Sequence, residues 1–130
     1  WEGLEAGVID IVESDHAPHT KEEKACDAPP FGVPGLETTL GLMLSAVREG
    51  KIPMRYIHKL LHTRAKKLFA IPDQKDTYIE CDPQKPYRMG EDGYETKCGW
   101  SPFEGWTLYG KVQTVVLRGR KLMAEGNLLV

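Results

Sequence analysis

The sequence has few cysteines, no long apolar run and no block of charge of one sign. No apolar stretch approaches the roughly 20 residues of a membrane-spanning helix, and no signal peptide is visible. The cysteines are odd in number and contain no Cys-x-x-Cys pair, which is typical of reduced thiols rather than of a disulfide framework. These absences predict a cytoplasmic chain that does not enter a membrane. The three cysteines are Cys26, Cys81 and Cys98.

Charge is nearly balanced along the chain. Lys and Arg number 17 against 19 Asp and Glu, which gives a net charge of −2 at pH 7. Because neither sign forms long runs, nothing favours nucleic acid or an anionic membrane as a partner. The hydrophobic fraction of 41% suits a globular chain. The sequence starts at Trp1 without a methionine and enters a strand-like segment almost at once, so we expect a piece of a longer protein.

The first half of the chain combines a strand pattern with helical patterns. Residues 8–12 (Val-Ile-Asp-Ile-Val) are a short, nearly continuous apolar run, typical of a strand covered on both faces in a parallel α/β sheet. After a loop over residues 20–34, apolar residues recur at helical spacing from Leu36 to Val47, and Gly50 is a natural stop. This half is therefore predicted to be α/β.

Two more helices are predicted before the texture changes. One begins near Pro53, Thr63 could cap the next, and Pro72 ends the helical half. The following sequence predicts strands over residues 77–81, 107–117 and 121–130, whereas residues 82–99 are turn-rich and left unassigned. The chain therefore divides into residues 1–71 and a β part over residues 72–130.

The densest group of chemically active side chains follows the first predicted strand. Residues 15–19 read Asp-His-Ala-Pro-His, where the strand opens into a loop, and such loops carry much of enzyme chemistry. Asp15 can be a metal ligand, a general base or an ion-pair partner, although a lone aspartate there is more often a cap or turn former. His16 and His19 favour a functional site, since imidazole binds metals and carries protons. A catalytic zinc takes about three protein ligands, so this group alone rarely closes a site.

Other residues are weaker candidates. The loop over residues 29–35 could offer the backbone N–H groups of Gly32 and Gly35 to an anion, or could simply connect to the following helix. His58 and His62 have the i, i+4 spacing of a metal pair without an accompanying glutamate, so a solvated helix face is favoured. Surface charge is expected at residues 21–24. Packing in the core of the β part is expected for Trp100, Phe103 and Trp106.

Residues 14–20 (Ser-Asp-His-Ala-Pro-His-Thr), joined to Pro-Gly-Leu-Glu-Thr at residues 34–38, resemble the C-terminal part of a dihydroorotase of the amidohydrolase superfamily. The tail is most similar to the dihydroorotase domain of animal multifunctional pyrimidine-synthesis proteins. The resemblance covers nearly the whole chain. It continues through residues 22–24, 63–69, 76–80, 100–105 and 115–119.

The resemblance implies an α/β fold: the C-terminal end of a (β/α)8 TIM-type barrel, followed by part of a small β domain. Residues 8–12 would be the eighth barrel strand, and the segment from Leu36 the eighth barrel helix. The implied reaction is the reversible cyclisation of N-carbamoyl-L-aspartate to L-dihydroorotate in de novo pyrimidine biosynthesis. Zinc is the implied cofactor. A homo-oligomer and association with aspartate transcarbamoylase are implied alongside the small-molecule substrate.

Family roles transfer to few positions. The resemblance implies that Asp15 binds the metal and carries the proton, and that His19 holds the substrate carboxylate. Phe31 and Gly32 fall where the family offers backbone groups to the substrate, although Phe31 replaces a frequent proline. His16 is assigned only an outer supporting role. The family's other metal ligands have no counterpart here, so we expect the isolated chain to bind no catalytic metal, to be inactive and to aggregate through exposed apolar surface.

Two alternatives remain open. One is another cyclic-amide hydrolase, such as an allantoinase or a dihydropyrimidinase, and His19 discriminates because those relatives lack the Asp-His-Ala-Pro-His form. The other is a non-catalytic, dihydroorotase-like scaffold that packs on a partner such as aspartate transcarbamoylase. Intact Asp15 and His19 argue against loss of activity.

Overall fold

A computed structural model describes residues 1–129 of the chain. Within them no helix is long and apolar enough to cross a bilayer. The helices are α1 (Glu2–Glu5), α2 (Lys21–Lys24), α3 (Thr39–Arg48), α4 (Arg55–His58), a π-helical turn (Lys59–Thr63) and α5 (Arg64–Leu68). The strands are β1 (Tyr78–Cys81), β2 (Pro86–Arg88), β3 (Thr107–Tyr109), β4 (Val112–Leu117), β5 (Arg120–Ala124) and β6 (Asn127–Leu128).

Helix α3 is the centre of the packing and confirms the helix predicted from the apolar spacing. Its inner face buries Met43 and Ala46, which pack with Leu60 of the next helical segment in one core cluster. On another side, Gly41 meets the β part so closely that a Cβ there would lie 2.3 Å from Tyr87 Oη. Helix α3 therefore contacts both the helical segment and the β2–β3 pair.

The two helices predicted after Pro53 form one continuous helical segment, so the predicted cap at Thr63 is wrong. Thr63 has φ −61° and ψ −44° and its side chain caps no backbone amide. Its hydroxyl instead lies 2.9 Å from His58 Nδ1. Because the backbone passes through a π-helical turn without leaving helical dihedrals, no free amide is left for Thr63 to cap.

Residues 8–12 do not form the predicted strand. Val8 is 78% exposed, and within residues 1–129 the only main-chain hydrogen bond donated from this run to a distant element joins Val12 N–H to the Leu60 carbonyl, at 3.2 Å. Arg64 donates to two further carbonyls of the run. A strand is defined by its neighbours, and within residues 1–129 nothing pairs with this one.

The β part contains a four-stranded antiparallel sheet in the order β1-β4-β5-β6 and a separate β2–β3 pair. The predicted strand over residues 77–81 is confirmed as β1. The strand predicted over residues 107–117 is split at Gly110, which has φ +76° and approaches Leu44 too closely for any Cβ. The unassigned residues 82–99 contain β2. Val130, the end of the last predicted strand, lies outside the described residues, and the division near residue 72 stays a prediction.

The expected exposure of apolar surface is confirmed. Phe31 is 97% exposed, and large apolar side chains are also exposed in the run over residues 8–12 and at the end of α5. All three cysteines are free thiols. Exposed apolar side chains include Ile9, Leu36, Leu68, Phe69, Ile71 and Ile79.

Candidate active-site corner

The two motif-bearing loops lie side by side. His16 and Val33 form a parallel β-bridge, and the Ala17 N–H donates to the Val33 carbonyl at 3.2 Å. The approach requires glycine, because a Cβ on Gly32 would lie 2.4 Å from Ala17 Cβ. A Cβ on Gly35 would lie 2.3 Å from the Ser14 carbonyl oxygen. The structure thus packs residues 14–17 of the first stretch directly against residues 32–35 of the second.

His16 holds the loops together. Its Nδ1 accepts hydrogen bonds from the N–H groups of Gly35 (3.1 Å) and Leu36 (3.3 Å). An accepting ring nitrogen carries no proton, so the neutral ring has its hydrogen on Nε2. The prediction that the Gly35 N–H stays open to a ligand is therefore wrong, since His16 occupies it. The Gly32 N–H donates to no atom of residues 1–129.

Asp15 lies at the exposed tip of this corner in a left-handed backbone conformation, with φ +41°. Aspartate tolerates this region better than most residues. Its N–H donates to the Glu13 carboxylate at 2.6 Å, whereas the Asp15 carboxylate contacts no donor of residues 1–129. The backbone N–H of Asp15 is thus used in the turn, and its exposed carboxylate has no partner within residues 1–129.

His19 is anchored through its main chain. Its carbonyl accepts a 2.7 Å hydrogen bond from the indole N–H of Trp100, and its half-buried ring places Nδ1 3.7 Å from a Glu23 carboxylate oxygen. The next residue, Thr20, forms a capping box with Glu23 at the start of α2. The Trp100 hydrogen bond and the capping box therefore fix the backbone on either side of the His19 side chain, and the Glu23 carboxylate lies beside the imidazole.

The sequence predicted that the aromatic cluster packs in the core of the β part, and the structure bears this out only in part. Trp100 reaches out to the His19 loop, and Trp106 is 56% exposed. Phe103 and Trp106 pack edge to face with ring centroids 5.2 Å apart. A half-buried tryptophan needs a partner for its indole N–H. For Trp100 that partner is the His19 carbonyl, 81 residues earlier in the chain.

Residues 21–24 are surface charge only in part. Lys24 is half-buried, and its ammonium donates to the carbonyls of Pro30 (2.7 Å) and Gly32 (3.1 Å). Lys21 is exposed and reaches only a 4.0 Å contact with Glu104. The sequence pattern does not separate the two lysines, because the acceptors of Lys24 are backbone groups that no side-chain motif records.

Glu37 links the corner to the β part, a role that sequence reasoning missed. Its carboxylate accepts from the N–H groups of Glu95 (3.1 Å) and Thr96 (2.8 Å) and from the Thr96 hydroxyl. Burial raises the pKa of the Glu37 carboxyl, but the hydrogen bonds from Thr96 and Glu95 outweigh it, so the pKa lies below its ordinary 4.5. The one feature of the sequence that could have pointed to this role is the position of Glu37 in the Pro-Gly-Leu-Glu-Thr motif.

The side chains that could bind a metal are dispersed in residues 1–129. No three His, Cys, Asp or Glu side chains of this part of the chain are grouped to hold a metal ion, and a catalytic zinc takes about three protein ligands. Asp15 fits the chemistry of one ligand. His58 and His62 are exposed with ring centroids 4.8 Å apart, which confirms the solvated helix face.

Sequence comparison finds relatives along the full chain, although no protein-family model matches it. The chain is 43% identical over 129 residues to the multifunctional protein pyr1-3 of Dictyostelium discoideum, covering 99% of the chain and 6% of that protein. It is 44% identical over 130 residues to the multifunctional protein CAD of Squalus acanthias, covering 100% of the chain and 6% of that protein. A dihydroorotase of Pyrococcus furiosus is 35% identical over 99% of the chain, which spans 32% of that protein.

Structural comparison finds a hydantoinase and a dihydroorotase-like domain. A D-hydantoinase matches 99% of the chain with a TM-score of 0.85 and 27% identity, and the chain covers 31% of it. The inactive dihydroorotase-like domain of a CAD-like protein of Chaetomium thermophilum matches 73% of the chain with a TM-score of 0.64 and 28% identity, and the chain covers 27% of it. The chain is therefore similar along its whole length to a segment of the dihydroorotases, which confirms the resemblance drawn from its motifs.

Proposed function

We propose that this chain forms one corner of the active site of a dihydroorotase, which interconverts N-carbamoyl-L-aspartate and L-dihydroorotate in de novo pyrimidine biosynthesis. The observation that carries the proposal is that His16 Nδ1 accepts hydrogen bonds from the N–H groups of Gly35 and Leu36, which joins the two stretches that resemble the family most specifically. The chain spans about a third of the archaeal dihydroorotase it matches, at 32%. The whole activity therefore belongs to a larger protein.

Three kinds of group would act on the substrate from this corner. The exposed Asp15 carboxylate, which no described donor engages, takes and returns the proton that moves between water and the ring amide nitrogen. His19, restrained by its contacts with Trp100 and Glu23, binds the substrate carboxylate. Phe31 and Gly32 present backbone groups, and the open Gly32 N–H is a donor suited to a carboxylate or an imide carbonyl.

The remainder of the site would come from segments outside this chain. We propose a TIM-type barrel in which neighbouring strands pair with residues 8–12, whose exposed Val8 and Ile9 need cover. Zinc is the proposed metal, and the resemblance to dihydroorotases implies Asp15 as the ligand that this chain contributes to it. We further propose a cytoplasmic protein that oligomerises and associates with aspartate transcarbamoylase; the similarity to multifunctional proteins supports association with other activities.

One observation favours a second candidate function. The chain is similar to a dihydroorotase-like domain that is described as inactive, so a non-catalytic scaffold in a pyrimidine-synthesis complex is the alternative. Asp15 and His19 are both present in this sequence, and their surroundings are ordered by specific hydrogen bonds. These features favour the catalytic function over the scaffold.

The test is turnover of dihydroorotate by the full protein that contains this chain. We expect hydrolysis by the zinc-loaded protein and a loss of about 10²–10⁴-fold in kcat for Asp15→Asn. Asp27→Asn, at another exposed aspartate, is the control and should leave kcat unchanged. Turnover of hydantoin or dihydropyrimidine in place of dihydroorotate would identify another cyclic-amide hydrolase. No turnover of any of these substrates would favour the scaffold.

A further inference from the structure

Lys24 joins the helix that follows His19 to the second loop of the corner. Helix α2 begins at a capping box formed by Thr20 and Glu23 and ends at Lys24. The Lys24 ammonium then donates to the carbonyls of Pro30 and Gly32. One short element thus connects the segment that carries the imidazole with the segment that carries the open backbone donor.

The two carbonyls that Lys24 holds lie on either side of the Phe31–Gly32 peptide. A trans peptide is planar, so its carbonyl and its N–H point in opposite directions, and the chain contains no cis peptide among its described residues. Because the Pro30 carbonyl points at Lys24, the Phe31 N–H points away from it. The Phe31–Gly32 peptide itself donates and accepts no hydrogen bond within residues 1–129. It is held from both sides and left free to meet a ligand.

We propose that Lys24 is a positioning residue that fixes the Phe31 and Gly32 backbone donors toward a carboxylate-bearing substrate. The proposal rests on the proposed function for the identity of that substrate, and Lys24 itself does not touch it. An ammonium has three donors, of which two are used here. Its half-buried positive charge also favours the approach of an anion to this loop.

The first experiment measures steady-state kinetics of dihydroorotate hydrolysis in the full protein. Lys24→Met keeps an apolar stem of similar length and removes the donors, so KM should rise about tenfold while kcat changes less than about twofold. Lys24→Arg keeps the positive charge and has N–H donors for both carbonyls, so it should restore KM in part. The matched control is Lys21→Met on the same helix, where the lysine makes only a 4.0 Å contact with Glu104, and KM should not change.

The second experiment reads loop order without turnover or metal. Phe31 is 97% exposed, so chymotrypsin can reach it, and cleavage there requires the loop to open locally. Cleavage after Phe31, identified by mass spectrometry, should be about tenfold faster in Lys24→Met and unchanged in Lys21→Met. Lys24→Arg should restore slow cleavage after Phe31.

The two experiments separate failure of this proposal from failure of the proposed function. If the unmodified protein does not hydrolyse dihydroorotate, the proposed function fails, and faster cleavage after Phe31 in Lys24→Met still supports positioning of the loop. Unchanged KM together with unchanged cleavage overturns the role of Lys24. The role of Lys24 is also overturned if Lys24→Met and Lys24→Arg lower kcat equally and leave KM unchanged. That pattern reflects loss of folded protein.

Discussion

Replacing Glu37 with glutamine tests whether this carboxylate joins the two halves of the chain. The side chain accepts three hydrogen bonds from Glu95 and Thr96, which lie 58 and 59 residues away in sequence. Glutamine keeps the shape but has one acceptor oxygen and turns an amide donor toward the donors of the loop. We therefore expect Glu37→Gln to lower the free energy of unfolding at neutral pH.

The magnitude follows from the hydrogen bonds. Bonds to a charged group contribute about 1.5–3 kcal/mol each when well shielded, but Glu37 is only half-buried and solvent screening reduces this. The expected loss is about 1–2 kcal/mol in total. With a urea m-value of about 1–3 kcal/mol/M, the unfolding midpoint should fall by roughly 0.5–1 M.

The pH dependence gives the sharper test. The pKa of Glu37 in the folded chain lies below its ordinary 4.5, so its contribution to stability is present above pH 4.5 and is lost as pH falls through the lower folded value. The stability difference between the native chain and Glu37→Gln should therefore be largest at neutral pH and shrink in acid. Other carboxylates titrate equally in both proteins and cancel in the difference.

The assay is urea unfolding followed by tryptophan fluorescence, at neutral pH and well below pH 4.5. Thr96→Val removes the hydroxyl partner and completes a double-mutant cycle, with an expected coupling of about 0.5–1.5 kcal/mol between Glu37 and Thr96. A destabilisation that is the same at both pH values would refute the argument. So would an uncoupled double mutant, since the two halves would then be held by other contacts.

Two further predictions concern backbone packing and thiol reactivity. Gly32→Ala should destabilise the chain by about 2–4 kcal/mol, because the new Cβ would lie 2.4 Å from Ala17 Cβ in addition to the strain of φ +104°. Gly93 has φ +82° but open space around it, so Gly93→Ala should lower the free energy of unfolding, measured in urea, by only about 1 kcal/mol. Equal losses of stability in the two variants would contradict the argument that close contact with Ala17 requires glycine at position 32. With a disulfide reagent at neutral pH, exposed Cys26 should react faster than Cys81, since burial and then Asp82 raise the pKa of the Cys81 thiol. Faster modification of Cys81, located by mass spectrometry, would show that its burial is not maintained.

Much of the fold was predictable because its signals are local. The spacing of apolar residues predicted α3, and the sequence Thr-Tyr-Ile-Glu-Cys at residues 77–81 predicted β1. Local patterns failed where a distant contact set the conformation. The strand over residues 107–117 breaks because Gly110 lies against Leu44 of α3, and residues 8–12 stay unpaired because pairing depends on neighbouring strands.

The candidate groups are readable without a structure: a carboxylate and two imidazoles follow an apolar run, and residues 14–20 together with 34–38 resemble a known family. Tertiary structure decided which groups act together. The resemblance implies only a supporting role for His16, without naming its partners. In the structure its Nδ1 is the acceptor for the Gly35 and Leu36 amides. Lys24 and Trp100, expected on the surface and in a core, hold the two loops through backbone carbonyls. Backbone acceptors exist at every position of a chain, so no residue pattern records which of them a side chain will find, and only the folded path of the chain selects it.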